Sequence, residues 1–264
     1  MTRLTDGEVE QAADLLSAAR EGRVTMAGLP PQLTPEHTAD VQRIINRVSD
    51  GIVRPVRGWK TYTVYKPTNP PFYAPIYDVF QSGSEIPAAM SGARLIEPEI
   101  MFRADRDLPP RATNYAITEL MASFTAVVGF EVIGTRFRSA RPTDDPRTDG
   151  QGSLYGSYSD HIANGCIVVG DNIRGWRDVG FEDVPLRLTE DERELIAVVG
   201  CHPFDNPFLP VVVGVNRLRR HLGVKAGDIL VTNSSTSFFQ VDPGALVRAT
   251  YAGLGEVCAS FAAP

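Results

Sequence analysis

Two glutamates two positions apart, inside an apolar run, constrain this chain more than any other feature. The run is Leu95-Ile96-Glu97-Pro98-Glu99-Ile100-Met101-Phe102. In an extended strand, residues i and i+2 point to the same side. Glu97 and Glu99 therefore share one face, and Ile96, Ile100 and Phe102 share the other. Two neighbouring carboxylates repel and resist burial unless something neutralises them. A divalent cation does so well, and oxygen ligands suit Mg²⁺, Mn²⁺ or Ca²⁺. The alternative is a pair of solvated glutamates on an edge strand, where Pro98 is also tolerated.

The 264 residues are 43% hydrophobic and 22% charged, which fits a globular chain with one large core. Net charge is −6 and the pI about 5.3. The one basic cluster, Arg217-Leu218-Arg219-Arg220, reads as the solvated end of a helix, so nucleic acid is not an expected partner. Cys166, Cys201 and Cys258 show no metal-binding or disulfide spacing, and Cys166 and Cys258 read as buried thiols. The first residues lack an apolar signal core, and no apolar run approaches the roughly 20 residues that span a bilayer. The expected compartment is the cytoplasm.

The first fifty residues read as helical. Thr5-Asp6-Gly7-Glu8 is a capping box, followed by the stripe Val9, Ala12, Ala13, Leu16 and Ala19. Thr34-Pro35 reads as a second start, followed by Val41, Ile44, Ile45 and Val48, with Asp50-Gly51 as the stop. Beyond residue 52 short β-like runs predominate: 61–65, 94–102, 131–137, 166–170, 196–199, 229–232 and 247–251. Two helices interrupt them. One carries Ile117, Leu120, Met121, Phe124 and Val127. The other begins at Asn206-Pro207 and carries Leu209, Val212, Val213, Asn216 and Leu218, with Gly223 as its stop. Residues 68–71 read as a loop, and the polar stretch 139–156 as a mobile surface loop or lid. The pattern predicts an α+β chain with a mixed, curled sheet: a helical region over 1–54, packed on a β-roll over 55–264.

Several segments, in order, resemble the fumarylacetoacetate hydrolase superfamily, and within it the branch of 2-oxopent-4-enoate hydratases and 4-oxalocrotonate decarboxylases. They are Gly58-Trp59-Lys60, the run from Ile96 to Phe102 with Asp105-Arg106-Asp107-Leu108-Pro109, Phe130-Glu131-Val132 with Arg136, and Ser159-Asp160-His161-Ile162-Ala163-Asn164-Gly165. Gly200-Cys201-His202-Pro203, residues 222–228, Thr232-Asn233-Ser234-Ser235 and Tyr251-Ala252-Gly253-Leu254-Gly255 complete the series. The resemblance implies a mixed β-roll and a cation, Mg²⁺ or Mn²⁺, held by Glu97, Glu99 and Glu131. Read from its own surroundings, Glu131 opens an apolar strand, and a salt bridge to Arg136 or Arg138 would satisfy it equally well.

The same resemblance implies a 2-oxo or 2-hydroxydienoate acid as substrate, chelated by the cation, with hydration to a 4-hydroxy-2-oxo acid. Lys60 would hold the substrate or move protons, with Asp78 pairing it. Asp160, Asn164, Thr232 and Ser234 would contact substrate, and His161 is a further catalytic candidate. Each has a plainer reading: an exposed lysine, a turn aspartate, helix caps for Asp160 and Asn164, and a hydrogen-bonded turn at 232–236. The chain departs from the resembled pattern at Gly134, in place of an aspartate, at Thr61-Tyr62, and across 150–156. Decarboxylation of a vinylogous 2-oxo diacid, acylpyruvate-type hydrolysis, and a non-catalytic partner subunit are the alternatives. Hydrolysis would need a histidine–carboxylate dyad, for which His37 with Glu36 or Asp40 is the nearest candidate. Homo-oligomers, or a complex of a decarboxylase with a hydratase paralogue, are expected by analogy with similar proteins.

Overall fold

The computed structural model describes residues 3–62, 71–90, 94–137, 153–200, 202, 206–232, 234 and 236–262. In chain order the elements are α1 (Asp6–Arg20), α2 (Thr38–Asp50), β1 (Gly58–Tyr62), β2 (Phe72–Ile76), β3 (Val79–Gln81), β4 (Ser84–Ile86), β5 (Leu95–Ala104), α3 (Ile117–Met121) and β6 (Phe124–Ile133). There follow α4 (Leu154–Ser159), β7 (Asn164–Asn172), β8 (Pro185–Glu190), β9 (Arg193–Val199), α5 (Phe208–Leu218), β10 (Ile229–Val231), β11 (Phe239–Gln240), β12 (Leu246–Tyr251) and β13 (Gly255–Phe261).

The capping box opens α1 as expected: Thr5 Oγ1 accepts from Glu8 N, and the Glu8 carboxylate accepts from Thr5 N at 2.7 Å. Val9, Ala12, Ala13 and Leu16 are buried, joined by Ala18 rather than Ala19. The second helix starts three residues later than Thr34-Pro35 predicts, with His37 as its N-cap and Thr38 as its first residue. The Thr34 hydroxyl closes the preceding turn on Leu29 O and Pro30 O, and His37 caps α2 by accepting from Ala39 N. The predicted stripe of α2 is buried in full.

The larger sheet runs β2-β1-β10-β5-β6-β7-β3, with β11 also on β5. Its first and last strands, β2 and β3, are separated in sequence by Tyr77 and Asp78 alone, so the sheet curls into a roll. β1–β10 and β3–β7 pair in parallel and the rest antiparallel, which makes the sheet mixed. A second sheet, β4-β13-β12-β8-β9, packs against it. Residues such as Ile100, Phe102, Val128 and Phe130 face this contact, together with Val247, Val257 and Ala259.

The alternative of an edge strand is excluded, because β5 is an interior strand. β5 pairs along its whole length with β6, and on its other side with β10 near Phe102 and β11 near Ile96. Pro98 falls in the gap between β10 and β11, where its carbonyl accepts from Ser234 Oγ at 3.4 Å. In a strand the N and O of one residue face the same edge, so the N–H that proline lacks would have pointed into that gap. Two further expectations fail on periodicity. The helix predicted through Val127 ends at Met121, and residues 124–133 form a strand. Both faces of that strand are buried, so no alternation betrays it, although Thr125, Val127 and Val128 suit a strand. In α5 the buried residues are Phe208, Val211, Val215 and Leu218, whereas the predicted Leu209 and Val213 face outward.

Of the two expected loops, residues 68–70 and 139–152 lie outside the described residues. Leu154 to Gly156, assigned to the second loop, belong instead to the helix α4, which Ser153 caps at Gly156 N. Cys166 is buried and Cys258 half-buried; Cys201 lies outside the described residues. No helix among the described residues is long and apolar enough to cross a membrane.

Candidate metal centre

Glu97 lies directly opposite Glu131 across the β5–β6 ladder, and Glu99 projects from the same face of β5. One carboxylate oxygen from each lies within 4.8 Å of the other two. Glu99 and Glu131 are buried and Glu97 is partly exposed. Among the described residues neither Glu99 oxygen has a hydrogen-bond partner of ordinary geometry, although the Thr232 N–H lies close by; Glu131 Oε2 and Thr232 Oγ1 are likewise buried without partners there. Burial, then Glu131, then Glu97 push the Glu99 carboxyl well above its ordinary range. Such a cluster of orphaned oxygens fits a divalent cation, whose charge and empty coordination positions answer both deficits.

Lys60, on β1, reaches across the roll. Its Nζ donates to Glu131 Oε1 at 2.5 Å and to Ile162 O at 3.1 Å. It is buried, not an exposed lysine. Burial opposes its charge, but Glu131, Glu97 and Glu99 outweigh burial and raise its pKa. Asn164 Nδ2 donates to the same Glu131 oxygen at 3.1 Å. Glu131 is therefore held by Lys60 and Asn164, and Arg136 is engaged elsewhere. Thr232 follows β10 at the same end of the roll, and the Ser234 hydroxyl lies against Pro98, between the two glutamates.

The other expected contacts separate from this cluster. Asp78 pairs with Arg54 through both guanidinium ends rather than with Lys60. Asp160 is fully buried, and its oxygens are taken by Arg20 Nη2, at 3.0 Å, and by Arg136 N, at 2.7 Å. It clamps α1 to the roll, which leaves no lone substrate-facing oxygen and corrects its expected role as a substrate contact. His161 is buried, with Nε2 3.1 Å from Ser49 Oγ on α2 and its ring beside Tyr77. Burial first, then Arg20 and Arg136, push its pKa well down, so it is neutral at pH 7. The candidate dyad at His37 dissolves: its Nδ1 caps α2, and Asp40 is bound by Arg3 and Arg43.

Sequence reasoning missed what shapes this end of the roll. His161, Ile162 and Ala163 all have positive φ, at 49°, 56° and 53°. Such backbone costs about 1–2 kcal/mol per residue without glycine. The turn aims Ile162 O at Lys60 and Asn164 at Glu131, and Gly134 N holds it by donating to Ala163 O at 2.9 Å. No sequence signal announces three left-handed residues that are not glycine or asparagine. The departure at Gly134 also has a structural cause. A Cβ there would lie 2.2 Å from Met90 O and 2.7 Å from the Gly165 Cα. Arg136 Nη1 fills the polar space beside it, donating to Gly134 O and to Asn164 O at 2.9 Å.

No protein-family model matches the chain. It is 25% identical over 252 residues to a 2-keto-4-pentenoate hydratase of Paraburkholderia phymatum, covering 94% of this chain and 90% of that one. Among solved structures it is similar to the 4-oxalocrotonate decarboxylase of Pseudomonas putida G7, seen with calcium and acetate and with magnesium and adipate. There the TM-score is 0.75 at 18% identity, over 98% of this chain and 100% of that one. A 2-hydroxyhepta-2,4-diene-1,7-dioate isomerase from Mycobacterium marinum matches at a TM-score of 0.51 and 15% identity, over 79% of this chain and 76% of that one. The fold is thus the mixed α+β roll of the fumarylacetoacetate hydrolase type. In sequence the chain is thus similar to a 2-keto-4-pentenoate hydratase, and in fold it is similar to a 4-oxalocrotonate decarboxylase.

Proposed function

We propose that the chain is a divalent-cation-dependent hydro-lyase that adds water to 2-hydroxy-2,4-dienoates and yields 4-hydroxy-2-oxo acids. The observation that carries this reading is the three-glutamate cluster of Glu97, Glu99 and Glu131, in which the buried oxygens of Glu99 and Glu131 Oε2 have no hydrogen-bond partner among the described residues, facing a buried lysine. Glu97, Glu99 and Glu131 would hold Mg²⁺ or Mn²⁺, and the bound ion would supply positive charge that favours the enolate form of a 2-oxo acid.

Lys60 is kept charged by the three glutamates, so it serves first as a cation for the substrate carboxylate and a proton donor to the dienol. Asn164 and Lys60 fix Glu131 Oε1, which leaves Oε2 for the ion. The hydroxyls of Thr232 and Ser234 stand at the same strand ends and suit a carboxylate. Asp78 and His161 are positioning residues in this reading, acting through the Arg54 pair and the 161–163 turn. Homo-oligomerisation, or a complex with a decarboxylase or hydratase paralogue, belongs to the same proposal, and light scattering of the purified chain measures it.

Decarboxylation of a 4-oxalocrotonate-type diacid is the second reading, favoured by the full-length structural likeness to the decarboxylase. It needs the same ion and the same enolate. With Mg²⁺ present, 2-hydroxypenta-2,4-dienoate should lose its dienol absorbance and give 4-hydroxy-2-oxopentanoate. Release of CO₂ from the diacid, with the monoacid untouched, would replace the first reading by the second.

A further inference from the structure

Between α1, α2 and the outer wall of the roll lies a cavity of about 470 Å³, within the range of small-ligand sites. Arg20, Arg54 and Arg136 line it, with Tyr77 and His161. Arg20 and Arg136 converge on one carboxylate. Arg20 Nη2 lies 3.0 Å from Asp160 Oδ1, and Arg136 Nη1 lies 3.5 Å from Oδ2. The remaining acids of the wall are already matched: Asp78 with Arg54, and Glu21 with Arg23. Counting Arg23 and Asp160, which stand just behind the lining, four guanidinium groups meet three carboxylates among the described residues, and the excess charge sits where Arg20 and Arg136 share Asp160.

Both shared cations have donors to spare. Among the described residues Arg20 makes a single hydrogen bond, to Asp160, and its buried Nε has no partner. Arg136 binds Gly134 O and Asn164 O through Nη1 alone. A guanidinium carries five N–H donors in a planar fork. The neighbours sense the surplus: burial and then Arg136 push Arg20 down to about 10, and His161 is held neutral between the two. A buried cation with unused donors is stabilised by an oxyanion more than by any other small group.

We propose that this cavity is a second ligand site, lined by none of the three glutamates and meeting their cluster at Asn164, and that it takes a small anion bearing a carboxylate or phosphate group between Arg20 and Arg136. The assignment does not depend on the reaction carried out at the glutamates. Asp160 connects the two places, because it opens the 161–163 turn that ends on Asn164 and Glu131.

Calorimetry on the full chain, freed of metal by dialysis, tests the assignment, with inorganic phosphate and succinate titrated separately. One saturable site per chain is expected for at least one of them, and the two titrations distinguish phosphate from carboxylate as its natural chemistry. Arg20→Gln should weaken binding by more than about tenfold. Ser17→Glu should do the same while deleting no contact of the Asp160 cluster, because Ser17 lines the cavity and the new carboxylate would occupy the anion's place. It should also raise the melting temperature in anion-free buffer. Absence of saturable binding to the wild type, or equal affinity in Ser17→Glu, overturns the proposal, whether or not Arg20→Gln folds.

Discussion

The interior of the roll has two ends that share the strands β5, β6 and β7, and they differ completely. At one end Ile76, Met101, Val127, Ile167, Val169, Ile229 and Val231 pack into a closed apolar plug. At the other, Lys60, Glu97, Glu99, Glu131 and Asn164 crowd together, with oxygens of Glu99 and Glu131 unpartnered among the described residues. Along β5 the change comes between Glu99 and Met101, a single step of the pleat. The apolar half supplies the stability that lets the polar half keep like charges in register. The strands connect the halves rigidly, so the carboxylates cannot relax apart.

The largest test of that division lies at the polar end. Glu99→Gln should weaken Mg²⁺ or Mn²⁺ binding by at least about a hundredfold, ~2.7 kcal/mol, as read by calorimetry. In metal-free protein the same change should raise the melting temperature. A carboxyl whose pKa is raised by folding binds its proton more tightly in the folded state, so its stabilising contribution is lost as pH rises through that range. Glutamine removes that loss. A stable ion in the variant, or a lowered melting temperature, would show that Glu99 is an ordinary buried acid.

The apolar end should respond in the opposite sense. Met101 fills the space above Gly129, where a Cβ would meet its sulfur at 2.7 Å. Met101→Ala should cost roughly 2–3 kcal/mol in denaturant unfolding. Ion affinity should stay within about twofold, since Met101 holds no ligand. A parallel loss of ion binding would mean the two ends are not separable. Asn164→Ala probes the boundary and should cost about tenfold in ion affinity, by freeing Glu131 Oε1 from one of its two donors.

The two ends were unequally legible in the sequence. Glu97 and Glu99 share a face by the pleat alone, and the helical stripes of α1 and α2 are visible because one side is apolar. The strand carrying Glu131 is hidden by burial on both faces, and the phase of α5 is masked because its outward Leu209 and Val213 are apolar too. The partners of Asp160 and Asp78 are beyond local reading. Arg20 lies 140 residues from Asp160, and Arg54 lies 24 from Asp78. The resemblance to hydratases suggested Lys60 for Asp78, whereas folding gives Lys60 to Glu131. Only the closed roll brings these groups together.

His161 gives the smallest effect and joins the polar end to α2. It is buried between Ser49 and Tyr77, and its folded pKa lies well below the unfolded value near 6.5. Below pH 6.5 the unfolded chain therefore binds a proton that the folded chain refuses. Stability then falls as pH falls, by up to about 1.4 kcal/mol per pH unit and by about 1 kcal/mol between pH 7 and 5.5. Above pH 7 the contribution is flat. In His161→Gln this segment of the pH–stability curve should flatten, with the slope from Glu99 and the other carboxylates left in place. An unchanged slope in the variant would mean that the imidazole titrates alike in both states. The 161–163 turn would then be open to water, and its hold on Asn164 and Glu131 would rest on the bonds that Lys60 Nζ and Gly134 N donate to Ile162 O and Ala163 O.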